Sequence, residues 1–121
     1  MKLLKAYIRT RKVDEVIRAL QTAGAPGITL SRVHGVGYGY DPMSFTLAPN
    51  ALRQAPEVTK VEVVCVDEDA DRLLGVLSTS AHTGSKGDGI VFIADVERAV
   101  RIRSGDEGHA ALASGRKPDQ Q

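Results

Sequence analysis

The chain has 121 residues, 42% hydrophobic and 26% charged, the mixture of one soluble domain. Sixteen Lys and Arg against fifteen Asp and Glu leave a formal charge of +1. That balance excludes a strongly basic nucleic-acid binder and an acidic disordered tail protein. A single cysteine, Cys65, excludes an internal disulfide and a multi-cysteine zinc site. No apolar run approaches ~18 residues, so no direct membrane insertion is expected. The opening MKLLKAYIRTRK has charges among its apolar residues and no signal-peptide core. These features together predict a reduced, cytoplasmic protein.

Residues 2–9 alternate, with Leu4, Ala6 and Ile8 on one face and Leu3, Lys5 and Tyr7 on the other, which predicts a strand. Over residues 13–23, Val13, Val16, Ile17 and Leu20 form one helical stripe. Asp14 and Glu15 suit its first turn, and Gly24 and Pro26 end it. Residues 27–36 read as a second strand that closes on Gly35 and Gly37. Residues 37–57 carry three prolines and little periodicity, a long connection of the kind that is usually functional or disordered.

Residues 58–66, VTKVEVVCV, are rich in β-branched side chains and form the clearest strand. Asp67 is a candidate N-cap for a helix over residues 68–81, with Leu73, Leu74, Val76 and Leu77 as its apolar face. A glycine-rich turn, residues 83–89, leads to a short buried strand at 90–94. Residues 96–103 fit either a strand or a helical turn, and the stretch beyond has no pattern except Ala110–Ala113 and is expected to fray.

The order β-α-β, long loop, β-α-β predicts an α+β, ferredoxin-like βαββαβ sandwich with both helices on one face of an antiparallel sheet. The strand at 58–66 is apolar on both faces: Val58, Val64 and Val66 on one, Val61, Val63 and Cys65 on the other. Two helices cover one face only, so a homo-oligomer is expected to cover the other.

Three features point to chemistry. Thr83-Gly84-Ser85-Lys86-Gly87-Asp88-Gly89 lets backbone N–H groups converge on an anion, with Lys86 adding charge. It is not a Walker A motif, and a plain helix-to-strand turn is the alternative. Arg101-Ile102-Arg103, if extended, presents two guanidiniums on one face for phosphate oxygens while Ile102 packs inward. The alternative is a solvated basic edge. Gly35-Val36-Gly37-Tyr38-Gly39 permits close approach of a ligand or serves as a hinge. His34, His82 and His109 are isolated in sequence, so a metal cluster is unsupported. No nucleophile elbow is present, and Cys65 reads as a buried, inert thiol.

Taken together these residues resemble the PII signal-transduction family. MKLLKAYIRTRKVDEVIRALQTAG is similar to the family's opening strand and helix, GVGY to the start of its long T-loop, TGSKGDGIVFI to its B-loop, and VERAVRIRSGDEGHAAL to its final strand and C-loop. The resemblance covers residues 1–112, with the T-loop at about 37–57, the B-loop at 83–89 and the C-loop at about 101–109. Residues 113–121 are expected to be a disordered tail. It implies a homotrimer whose three inter-subunit clefts each bind an adenine nucleotide, and a T-loop that docks on a target enzyme or membrane transporter. No catalysis and no nucleic-acid partner are implied. Gly35, Gly37, Tyr38, Thr83, Gly84, Lys86, Gly87, Asp88 and Gly89 fall at nucleotide-site positions. Thr29 and Val64 fall where the adenosine pocket is lined, and Arg101 and Arg103 match phosphate-binding arginines from the other side of the cleft.

The departures from the family pattern are specific. The family's GxGRQ is here GVGYGY, so Tyr38 replaces a phosphate-reaching arginine and Gly39 replaces a glutamine that helps hold Mg and 2-oxoglutarate. Glu57 follows Pro56 where a carboxylate-binding lysine is expected, and Ile90 replaces the lysine after the B-loop. Residues 41–57 contain no tyrosine for uridylylation. The resemblance, so qualified, implies a divergent member that binds ADP or AMP at least as well as ATP and does not use 2-oxoglutarate. Two alternatives remain at this point. One is a trimer of the same fold that senses bicarbonate or a cyclic nucleotide. The other is a metal-binding or enzymatic trimer of the CutA type.

Overall fold

A computed structural model describes residues 1–35 and 57–113. The first strand, β1, spans Lys2–Arg9. A single 3-10 turn at Thr10–Lys12 leads into helix α1, Val13–Thr22. Strand β2 spans Thr29–His34, β3 Glu57–Cys65, helix α2 Asp67–Ala81 and β4 Ile90–Asp95. A four-residue helix, α3, closes the described chain at His109–Leu112.

The strands form one antiparallel sheet in the order β2-β3-β1-β4. This is the ferredoxin-like α+β sandwich that the element order predicts. β1 lies in the middle, with Leu4 opposite Val63 and Ile93, and Ala6 opposite Val61 and Val91. Directly opposite residues share a face, so the alternation in β1 fixes which residues of its neighbours meet the helices. Leu4, Ala6, Ile8, Val61, Val63 and Cys65 are buried against Val16 and Leu20 of α1 and Ala70, Leu73, Leu77 and Ala81 of α2. Apart from Cys65 this core is entirely aliphatic, as it must be in a chain with 4% aromatic residues.

The other sheet face is different. Leu3, Lys5, Tyr7, Lys60, Glu62 and Val64 are only half-buried. Phe92 is exposed there, with its ring edge-on to Tyr7 at 6.3 Å. Lys60 and Glu62 pair at 3.6 Å within the same face. Thus β3 is closed on its helix side and half-open on its outer side, as its doubly apolar pattern predicts for a chain whose two helices occupy one layer.

Four local expectations need correction. The strand at 90–94 is not buried: β4 lies at the sheet edge, half-buried at Ile90 and Val91 and exposed from Phe92 to Asp95. Asp67 is not the N-cap: Val66 holds that position, and Asp67 is the first helical residue, paired at 2.9 Å with the α-amino group of Met1. That hydrogen-bonded charge lowers the Asp67 carboxyl pKa, and an acid in a first turn is favoured by the helix dipole in any case. Residues 96–103 form neither a strand nor a helical turn through their length. They make one bridge, Val100 to Glu107, and a tight turn in which Gly105 N–H donates to the Arg101 carbonyl at 2.8 Å. Ile102 therefore does not pack inward but is 99% exposed. Finally, residues 109–112 are helical rather than frayed. The T-loop residues 37–56 and the tail from 114 lie outside the described residues. No helix among the described residues is long and apolar enough to cross a membrane.

Candidate functional site

The glycine-rich loop between α2 and β4 is built around one side chain. Asp88 Oδ2 accepts the backbone N–H groups of Thr83 at 2.8 Å and Gly84 at 2.9 Å. Its Oδ1 accepts the Thr83 hydroxyl and, at 3.1 Å, Nε of Arg9. The Thr83 hydroxyl, the Thr83 and Gly84 amides and Arg9 all favour the ionised carboxyl, and they hold its pKa well below the usual carboxylate range. His82 Nδ1 lies 3.6 Å away, on the exposed side. The Ser85 amide donates to the Thr83 hydroxyl oxygen at 3.2 Å.

So the anion on which the first amides of this loop converge is the loop's own carboxylate. Thr83 and Gly84 thus shape the loop around Asp88. Gly84, Gly87 and Gly89 have φ of +87°, +96° and +100°, a region that L side chains rarely adopt. The chain therefore turns three times within six residues, which no other residue type would do at comparable cost.

A second feature lies at the opposite end of the sheet's outer face. A cavity of about 330 Å³ is lined by Leu3, Pro26, Gly27, Thr29, Glu62, Val64, Arg101, Ala111 and Leu112. Strand register explains the grouping. Leu3 pairs with Val64, and Thr29 pairs with Glu62, so four outward side chains from three adjacent strands meet. Arg101 closes the cavity from the C-loop. Its Nη2 donates to the carbonyls of Ala111, at 2.9 Å, and Ala113, and its own N–H donates to the Asp106 carbonyl at 2.8 Å. A guanidinium has five donors. With Nη2 spent on the carbonyls of Ala111 and Ala113, the Nε and Nη1 donors have no hydrogen-bond partner among the described residues.

The residues expected at the site thus separate into two clusters. Thr29, Val64 and Arg101 share the cavity. Thr83, Gly84, Lys86, Gly87, Asp88 and Gly89 make the loop. Gly35, buried just beyond β2, belongs to the loop's end of the sheet, because Val33 and Arg9 both face Val58. The two clusters are separated along β1 by the four residue steps from Leu3 to Tyr7, about 13 Å. Arg103 sits in the exposed C-loop turn and does not share a strand face with Arg101, so the extended-pair reading of Arg101-Ile102-Arg103 is corrected. Gly37 and Tyr38 lie outside the described residues. Among the described residues, no group of three or more His, Cys, Asp or Glu is placed to hold a metal.

Sequence reasoning missed Glu62, Gly27, Leu3 and the α3 residues as cavity walls. Strand parity carried a signal for Glu62 and Leu3, which share the face of Val64. Nothing local marked Ala111 or Leu112. It also missed Arg9, whose partners Lys86 and Asp88 lie 77 and 79 residues away in sequence.

Comparison with known proteins gives a consistent result. The family model for nitrogen regulatory protein P-II matches residues 1–106. The chain is 39% identical over 114 residues to a nitrogen regulatory protein P-II of Rhizobium meliloti, covering 93% of this chain and all of that one. It is 39% identical over 113 residues to nitrogen regulatory protein P-II 2 of Methanothermobacter thermautotrophicus, covering 93% and 97%. To the nitrogen regulatory protein GlnK of Escherichia coli K12 it is 34% identical over 114 residues, covering 93% and 100%. With the α+β sandwich, the glycine loop and the C-loop arginines at these positions, the chain belongs to the nitrogen regulatory protein P-II family of signalling proteins.

Proposed function

We propose that this protein is a non-enzymatic regulator that binds an adenine nucleotide in clefts between the subunits of a homotrimer. It then acts on a partner enzyme or transporter through the segment at residues 37–57. The observation that carries the reading is the division of the site. An arginine-closed cavity and an amide-rich loop stand at opposite ends of one half-buried sheet face, and a neighbouring copy packed on that face brings the loop of one chain toward the C-loop of another. The half-burial of Leu3, Tyr7 and Val64 and the exposure of Phe92 supply an apolar surface for the contact.

The chemistry suits a nucleotide rather than a free inorganic anion. The cavity offers apolar walls with Thr29 and Glu62 as polar contacts, fit for a nucleoside. Its volume is at the small end of the range for ligand pockets, as expected for one wall of a cleft. The arginines and the loop amides supply the charge for phosphates. The test is light scattering followed by calorimetry with ADP. A trimer that binds ADP, with affinity reduced about ten- to a hundredfold by Arg103→Ala, supports the proposal. A monomer at micromolar concentration, or equal affinity of the variant, overturns it.

A further inference from the structure

We propose that Arg9 is a positioning residue for the phosphate-binding loop, a role that rests on the nucleotide reading above and adds a residue to it. Arg9 is the last residue of β1, and its side chain is 22% exposed. Its Nε donates to Asp88 Oδ1 at 3.1 Å, and its Nη2 donates to the carbonyl oxygen of Lys86. One guanidinium therefore grips both the carboxylate around which the loop folds and the loop's backbone near its tip. The planar fork suits two acceptors at once, and a lysine ammonium would lack that fixed geometry.

The second consequence is electrostatic. Asp88 is an acid inside a loop that is meant to receive phosphate, and its ionised form is favoured by every hydrogen bond it accepts. A bare carboxylate there repels the ligand. Arg9 sets a positive charge in direct contact with it, so the loop keeps the carboxylate's hydrogen bonds without its net charge. The exposed His82, with Nδ1 at 3.6 Å, is the other titratable group against the carboxylate. Of the side chains that contact the carboxylate, Arg9 is the one that comes from the sheet, so it ties Asp88 itself to the framework.

The test uses the full chain with Arg9→Gln and Arg9→Lys, and reads two quantities. Calorimetry compares ADP with adenosine, and hydrogen exchange follows the Thr83 and Gly84 amides that Asp88 holds. We expect Arg9→Gln to weaken ADP about tenfold or more, leave adenosine unchanged, and speed exchange at both amides. Arg9→Lys is expected to fall between the wild type and Arg9→Gln. Equal ADP affinity in wild type and variant, or equal losses for ADP and adenosine, overturns the proposal, because a general structural defect would not distinguish the phosphates. If the wild type binds no ADP, the nucleotide reading falls. Arg9 is then judged on exchange alone: faster exchange supports its hold on the loop, and unchanged exchange overturns it. Should Arg9→Gln fail to fold, Arg9→Lys is judged by the same two readouts.

Discussion

Gly89 lies against the backbone of Tyr7: a Cβ added at Gly89 would stand 1.8 Å from the Tyr7 carbonyl oxygen and 2.9 Å from its carbonyl carbon. This contact fixes where the glycine loop leaves the turn and enters β4, since Tyr7 also pairs with Ile90 in the ladder. Loop and sheet are thus joined at two points of β1, through the backbone of Tyr7 and the side chain of Arg9.

Gly89→Ala is therefore expected to be costly on two counts. The φ of +100° disfavours any L side chain, typically by ~1–3 kcal/mol. The clash is with backbone, which no rotamer change relieves. We expect a loss of at least that size in chemical denaturation, with the change in amide exchange centred on residues 83–90. Gly105→Ala serves as the comparison, because it has positive φ but open space around its Cβ, and its loss should be the smaller. Equal losses would show that the Tyr7 contact contributes nothing.

The pH dependence follows from Asp88. Its carboxyl pKa is lowered in the folded protein by the Thr83 hydroxyl and amide, the Gly84 amide and Arg9. A depressed carboxyl adds stability that is present above the unfolded pKa of ~3.9 and is lost as pH falls through the folded value. The loop's contribution should thus be flat from neutral pH down to about pH 5 and decline only in stronger acid. Asp88→Asn should remove this acid dependence of the Thr83 and Gly84 exchange rates. A midpoint near neutral pH in the wild type would contradict the assignment.

Nucleotide preference is expected to follow charge count. Tyr38, Glu57 and Ile90 stand where the family pattern has cations, and Lys86 returns one from a different backbone position. Fewer cations mean less attraction for the outer phosphates, which carry most of the charge of ATP. ADP or AMP should bind at least as tightly as ATP when titrated without metal. A marked ATP preference in that calorimetric series would show the count to be wrong.

For the same reason 2-oxoglutarate is not expected to bind. Gly39 offers no side-chain oxygen to Mg, which prefers octahedral oxygen ligands. Glu57 opens β3 opposite His34 and stands 3.9 Å from Arg32, a loose pair on a surface where ion pairs are weak. Lys60 cannot take over: it points to the other sheet face from Glu57 and pairs with Glu62 at 3.6 Å. Millimolar 2-oxoglutarate added to the MgATP-loaded protein should give no saturable heat. Saturable binding would place the protein among ordinary dicarboxylate sensors.

Hydropathy period and punctuation alone determined the elements. The alternation of Leu4, Ala6 and Ile8, the stripe of Val13, Val16, Ile17 and Leu20, and the stop at Gly24 and Pro26 are local signals. The structure places β1, α1, β3, α2 and β4 within about two residues of where they put them. The glycine loop was legible too, because the three positive-φ positions at Gly84, Gly87 and Gly89 leave a glycine-rich composition in the sequence. What the tertiary structure decided is who answers whom. The carboxylate that organises the loop binds an arginine 79 residues earlier in the chain, and the cavity gathers Leu3, Thr29, Val64 and Arg101 from four separate segments. The C-loop shows the limit most plainly. Extended geometry would have put Arg101 and Arg103 on one face, but the Val100–Glu107 bridge and the carbonyls of α3 turn the chain there. Those bonds span only 7 to 12 residues of chain, but they join backbone and guanidinium groups, and hydropathy periodicity records apolar spacing and not hydrogen-bond partners.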